Sequence, residues 1–191
     1  MDANLGFIDF CLRYYNYQLP KKGPQFDNRL HNAIDSLVEA DRQFNPNVSL
    51  VLSFASIEAL LCDNHAGITD QIARRATTLL EPEGINRPER IVKIKELYKI
   101  RSELVHGSSE EDQSKSLSEV RLLAADCLRA VWEWQEFYKR YEESPDSPKR
   151  EDFLKEIDDS LNSGKRMPCK TEANWLSQYD DADPDRRPFG A

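Results

Sequence analysis

The stretch "VSLVLSFASIEALLC", residues 48–62, decides the fold. Its periodicity is helical, and apolar side chains cover nearly the whole circumference of the helix it would form. Such a helix has no face for water, so it belongs at the centre of a bundle with neighbours on several sides. Just upstream, "FNPN" (residues 44–47) supplies an Asn followed by Pro, a start signal for that helix.

Outward from this centre, the chain continues to read as helices. One precedes it, residues 27–43, with Leu30, Ile34, Leu37 and Val38 on one face. Thr69 and Asp70 are expected to cap a third, "ITDQIARRATTLL", with Ile72, Ala76, Leu79 and Leu80 inward. Asn86 and Pro88 mark the start of a fourth, which ends at Gly107. After the polar loop "SSEEDQSKS" a long fifth helix runs from about residue 117 to 141. Its inner stripe is Val120, Ala124, Cys127, Leu128, Val131, Trp134 and Tyr138. Ser147 and Pro148 open a short charged sixth helix that Gly164 ends. No strand alternation is found. The expected architecture is an all-α bundle of about five core helices, residues 26–141, with an N-terminal extension (1–25) and a C-terminal helix and extended tail (142–191). In that tail Trp175, Leu176 and Phe189 are the residues expected to seek a groove or a protein partner.

Composition limits the function classes. The chain has 191 residues, 39% hydrophobic and 31% charged, enough apolar matter for a core. Its net charge of −8 argues against a general polyanion-coating protein. The charge is uneven: residues 70–106 carry eight Lys/Arg against six Asp/Glu, residues 141–191 eight against thirteen. The fourth helix is therefore locally basic, which permits a phosphate site. No apolar run reaches the length of a membrane span, and the N-terminal segment lacks a basic start followed by an apolar block, so it does not read as a secretory signal. Four widely spaced cysteines (Cys11, Cys62, Cys127, Cys169) form no metal pair and suit a reducing, cytoplasmic setting. His31, His65 and His106 show no ligand spacing, and the acidic run at 180–185 lacks the glycine and terminal Glu of a calcium loop, so no metal or other cofactor is expected.

Two charges stand where apolar residues belong. Glu58 is the ionisable group inside the central helix, and a buried carboxylate calls for a cation. On the fourth helix, at about 100° per residue, Ile94, Leu97, Tyr98, Leu104 and Val105 share a face with Arg101 near its middle. Arg101 should pair with Glu58 or line a cleft that takes an anion. His106 lies five residues further on, roughly 140° around. The two meet only if the helix stops at His106-Gly107 and the ring swings back, or if a second copy supplies the complement across a two-fold axis.

The ordered motifs "FASIEALLC", "IARRATTLL" and "LYKIRSELVHGSS" resemble the HEPN superfamily (higher eukaryote and prokaryote nucleotide-binding domains), and most of all its ApeA-like group. In that signature an Arg, a polar residue and, a few positions on, a His close one helix of a compact bundle. Arg101-Ser102 and His106-Gly107 match in order and spacing, Tyr98 fits the tyrosine that precedes them, and the resemblance covers residues 28–141. It implies a metal-independent endoribonuclease, in a defence or toxin setting, working as a homodimer whose two motifs line one cleft. His106 would be the general acid/base and Arg101 the phosphate stabiliser. Ser102 would position the substrate or the Arg, Glu58 would orient Arg101, and Lys99, Lys95 and Arg90 would add contacts to the RNA backbone. HEPN domains also include inert modules, so the alternative is a non-catalytic helical dimerisation or binding module. The acidic balance and the aromatic stretch "VWEWQEFYKRY" speak for it.

Overall fold

A computed structural model of the protein describes residues 25–63, 66–81, 87–107, 113–141 and 150–163. The N-terminal extension up to residue 24, the loop that holds His65, the tail from 164 with its aromatic residues, and Cys11 and Cys169 lie outside these residues, as does the side chain of Tyr138. Among the described residues every regular element is a helix: α1 (Gln25–Arg42), α2 (Pro46–Leu61), α3 (Ile68–Leu80), α4 (Arg87–Val105), α5 (Ser114–Tyr141) and α6 (Arg150–Ser163). None of them is long and apolar enough to cross a membrane.

α2 occupies the centre, as its all-round apolarity requires, and touches α1, α3, α4 and α5. Asn45 caps it. Its Oδ1 accepts from the backbone N–H of Asn47 (2.9 Å) and Val48 (3.4 Å), and Pro46 takes the first helical position. Small residues let α1 and α2 approach closely. Ala33 and Ala40 of α1 and Ser49 and Ser53 of α2 are buried, and the Ser49 hydroxyl donates across to the Ala40 carbonyl at 2.6 Å. The entry to α5 is tied to the start of α2 by the Gln113 N–H, which donates to Asn47 Oδ1 at 3.3 Å.

The inner stripe of α5 is as read from the sequence: Val120, Ala124, Cys127, Leu128, Val131 and Trp134 are all buried. α3 starts slightly earlier than its polar residues suggest. Gly67, with φ +63°, precedes Ile68, and the Asp70 carboxylate meets Lys95 of α4 instead of serving as a cap. On α4 the buried residues are Ile94, Leu97 and Tyr98, while Ile91, Ile100 and Leu104 pack at the edge. Val105, expected on the apolar face, is half exposed beyond that last contact.

α6 is not an outlying arm. Phe153, Leu154 and Ile157 are buried in the same core as α2 and α5, and Phe153 lies against Trp134 with ring centroids 4.8 Å apart. The Trp134 indole N–H donates to Glu156 Oε2 at 2.6 Å. A short helix thus adds Phe153, Leu154 and Ile157 to the core, which its charged remainder conceals in composition.

Candidate functional site

The structure brings Glu58, Tyr98 and Arg101 together. Glu58 projects from the last turn of α2, and Tyr98 and Arg101, three residues apart, share one face of α4. Arg101 Nη2 lies 3.0 Å from Glu58 Oε1, and the Tyr98 hydroxyl donates to the same oxygen at 2.9 Å. The guanidinium carbon stands 5.4 Å from the centroid of the Tyr98 ring. That ring is fixed in turn by an edge-to-face contact with Phe54, centroids 5.2 Å apart at 84°. Burial, then the Glu58 carboxylate, drives the Tyr98 phenol far above its ordinary value, so it stays a hydrogen-bond donor.

Arg101 is neither fully sequestered nor free. Its side chain and that of Glu58 each retain 22% of their surface. The Arg101 Nε is buried and has no hydrogen-bond partner among the described residues. Glu58 therefore grips one nitrogen of a fork that could offer two in parallel.

His106 is exposed at the end of α4. Its backbone N–H still donates to the Ser102 carbonyl at 3.0 Å, and the Gly107 N–H closes the helix on the Leu104 carbonyl at 3.2 Å. Gly107 has φ +68°, the left-handed conformation that ends a helix without strain in glycine. Because the helical bond persists through His106, the five-residue offset from Arg101 stays near 140°. Within one chain the backbone turns His106 off the Arg101 face. Ser102, between them, is partly buried.

The three residues expected to hold RNA backbone already face carboxylates. Arg90 Nη1 meets Glu81 Oε1 at 2.5 Å, Lys95 Nζ meets Asp70 Oδ1 at 2.5 Å, and Lys99 Nζ stands 3.6 Å from Glu103 Oε1. Lys95 holds the Asp70 carboxyl below its ordinary value through a hydrogen bond and charge attraction. Lys99 is the most exposed of the three and its pair the longest.

Sequence reasoning missed Arg75 as a charged residue of the interior. It is buried on α3, where Nε and Nη2 lie 3.0 and 2.8 Å from the two carboxylate oxygens of Asp158 on α6. Nη2 also meets Asp63 at 3.1 Å, and Nη1 donates to the Leu61 carbonyl at 2.8 Å and to Gln71 at 3.2 Å. Burial works against its charge, but the hydrogen bonds to Asp158 and Asp63 outweigh that and raise its pKa. The signal was present: Arg75 lies three residues after Ile72 and four before Leu79, on the inward stripe. Like Arg101, it is a cation on an apolar stripe, which calls for anionic partners.

Among the described residues no group of three His, Cys, Asp or Glu side chains is placed to hold a metal ion. No protein-family model matches the chain, and no curated protein or solved structure shows detectable similarity to it.

Proposed function

We propose that this chain is a HEPN-like helical domain acting as a metal-independent endoribonuclease, with Arg101 and His106 as its catalytic residues in a cleft completed by a second copy. The single observation that carries the reading is the state of Arg101. It sits at the rim of the core, held by one nitrogen on Glu58 and still partly open to solvent. A guanidinium so placed can stabilise charge that develops on a phosphoryl oxygen.

In the reaction the RNA 2′-oxygen bonds to phosphorus as the bond to the 5′-oxygen breaks, leaving a cyclic phosphate and a 5′-hydroxyl. An imidazole can take the 2′-hydroxyl proton or give one to the leaving oxygen. The offset between His106 and Arg101 in one chain favours a site shared across a two-fold axis, with each copy offering what the other's motif lacks. Both described cysteines, Cys62 and Cys127, are buried, which suits a reducing, cytoplasmic setting.

A second reading has its own observation. Arg90, Lys95 and Lys99 each stand beside a carboxylate, so the basic balance of α4 is locally cancelled. That favours a non-catalytic dimerisation or binding module in which the Glu58–Arg101 pair serves the fold.

The two readings separate in a cleavage assay on single-stranded RNA without divalent metal, together with sedimentation of the purified chain. The ribonuclease reading expects a dimer whose activity falls at least about a hundredfold in both Arg101→Ala and His106→Ala. An inactive wild type, or activity that survives both substitutions, transfers the assignment to the binding module.

A further inference from the structure

The Nε of Arg101, buried with no partner among the described residues, needs an explanation. A carboxylate beside a guanidinium ordinarily closes on it edge to edge, taking Nε and one Nη in parallel. Glu58 is close enough to touch Nη2, yet the buried Nε has no acceptor among the described residues. Native structures seldom leave such a group unsatisfied, and each case calls for a physical reason. The surroundings of Glu58 offer one. The Tyr98 hydroxyl donates to the same Glu58 oxygen that touches Arg101, so phenol and guanidinium share that oxygen. Tyr98 cannot easily give way, since its ring is buried and braced edge-on by Phe54. The same ring lies under the guanidinium and limits where Arg101 can move.

We infer that Tyr98 is a positioning residue: its hydroxyl restrains Glu58 to a one-point contact and so keeps Arg101 available to a phosphate oxygen. The inference about RNA cleavage rests on the ribonuclease reading above, but the restraint on Glu58 does not. Without the hydroxyl, Glu58 is free to rotate and satisfy both Nε and Nη2. Arg101 would then be neutralised by a bidentate partner and withdrawn from any anion. Three residues would have the same composition of charge and opposite readiness.

Tyr98→Phe in the full chain tests this, because phenylalanine keeps the ring against Phe54 and beneath Arg101. The direct readout is the Nε–Hε signal of Arg101 in nitrogen-15 NMR, identified by its loss in Arg101→Lys. Closure by Glu58 shifts that proton downfield and slows its exchange with water in Tyr98→Phe. Single-turnover cleavage of single-stranded RNA falls about tenfold, the scale of one charge-assisted contact. Adding Glu58→Gln to Tyr98→Phe restores part of the rate, since an amide has a single acceptor oxygen and cannot close side-on. A merely structural tyrosine would lower thermal stability without moving the Arg101 signal. An Hε signal that does not move overturns the inference, as does a shifted signal with undiminished cleavage. If the wild type cuts no RNA, the ribonuclease reading fails by itself, and the Hε signal still decides whether Tyr98 restrains Glu58.

Discussion

Arg75 and Asp158, 83 residues apart in sequence, meet edge to edge with two parallel contacts of 3.0 and 2.8 Å. The guanidinium is nearly enclosed, at 8% exposure, while the carboxylate remains 42% exposed. This asymmetry makes the two halves of the pair unequal. Among the described residues, removing Asp158 leaves a buried charge with Asp63 as its one anionic partner, whereas removing Arg75 leaves two carboxylates that water can reach.

The expected order of stabilities follows. Asp158→Ala costs about 2 kcal/mol, below the range for a fully buried pair because half of the site is wet. Arg75→Met costs less, since an apolar side chain of similar length strands no buried charge. In the double variant the Asp158 substitution adds little. Urea denaturation of the three variants checks this. A loss under about 0.5 kcal/mol for Asp158→Ala would mean that the Arg75 contact adds little to what Phe153, Leu154, Ile157 and the Glu156–Trp134 bond already hold.

How far such relations can be read from a sequence depends on whether they are local. The centrality of α2 was legible because an all-round apolar helix has one environment that suits it. The Glu58–Arg101 pair was legible because each charge lay on an apolar face and demanded the other. Asp158 was not, since it flanks the apolar face of a short, highly charged helix and nothing near it in sequence points to Arg75. Nor was the Tyr98 hydroxyl bond, which depends on the relative rotation of α2 and α4 about their axes. Periodicity also overstated the apolar face of α4 at Val105, because a stripe continues past the point where its neighbours end. The depth of α6 in the core is obscured for the opposite reason: charge dominates its composition and masks Phe153, Leu154 and Ile157.

Glu156 gives a pH dependence with a definite sign. Burial raises its carboxyl above the ordinary value, the indole N–H of Trp134 opposes this, and the nearby Asp159 adds to it. The folded state therefore holds the proton to higher pH than the unfolded chain. Between the unfolded value, near 4.5, and the raised folded value, the folded form binds more protons, so stability from this group falls as pH rises. Glu156→Gln removes the ionisation and keeps an oxygen for the indole. It should melt above the wild type at pH 7, and the difference should shrink towards zero below about pH 4. Melting temperatures of both proteins across that interval measure it. A gap that widens on acidification would reverse the sign and overturn the account.

Gly107 fixes where α4 ends, and so where the His106 side chain emerges. Its φ of +68° lies in the left-handed region, and a Cβ built there meets nothing within 4 Å. Any cost of substitution is then conformational, with no contribution from crowding. Gly107→Ala should destabilise by about 1 kcal/mol, the usual penalty for placing a Cβ at this φ. Gly107→Asn should cost less, because Asn tolerates the left-handed region through its own backbone hydrogen bonding, and Gly107→Val more, because branching at Cβ is least compatible with it. Denaturant midpoints should fall in the order Gly, Asn, Ala, Val with the slope of the transition unchanged, since the exposed surface on unfolding is the same. Equal midpoints for Asn and Val would show that the helix end has rearranged and that the left-handed glycine does not set it. In that case the orientation of His106 would be fixed elsewhere, and the persistence of its helical bond to Ser102 would no longer separate it from the Arg101 face.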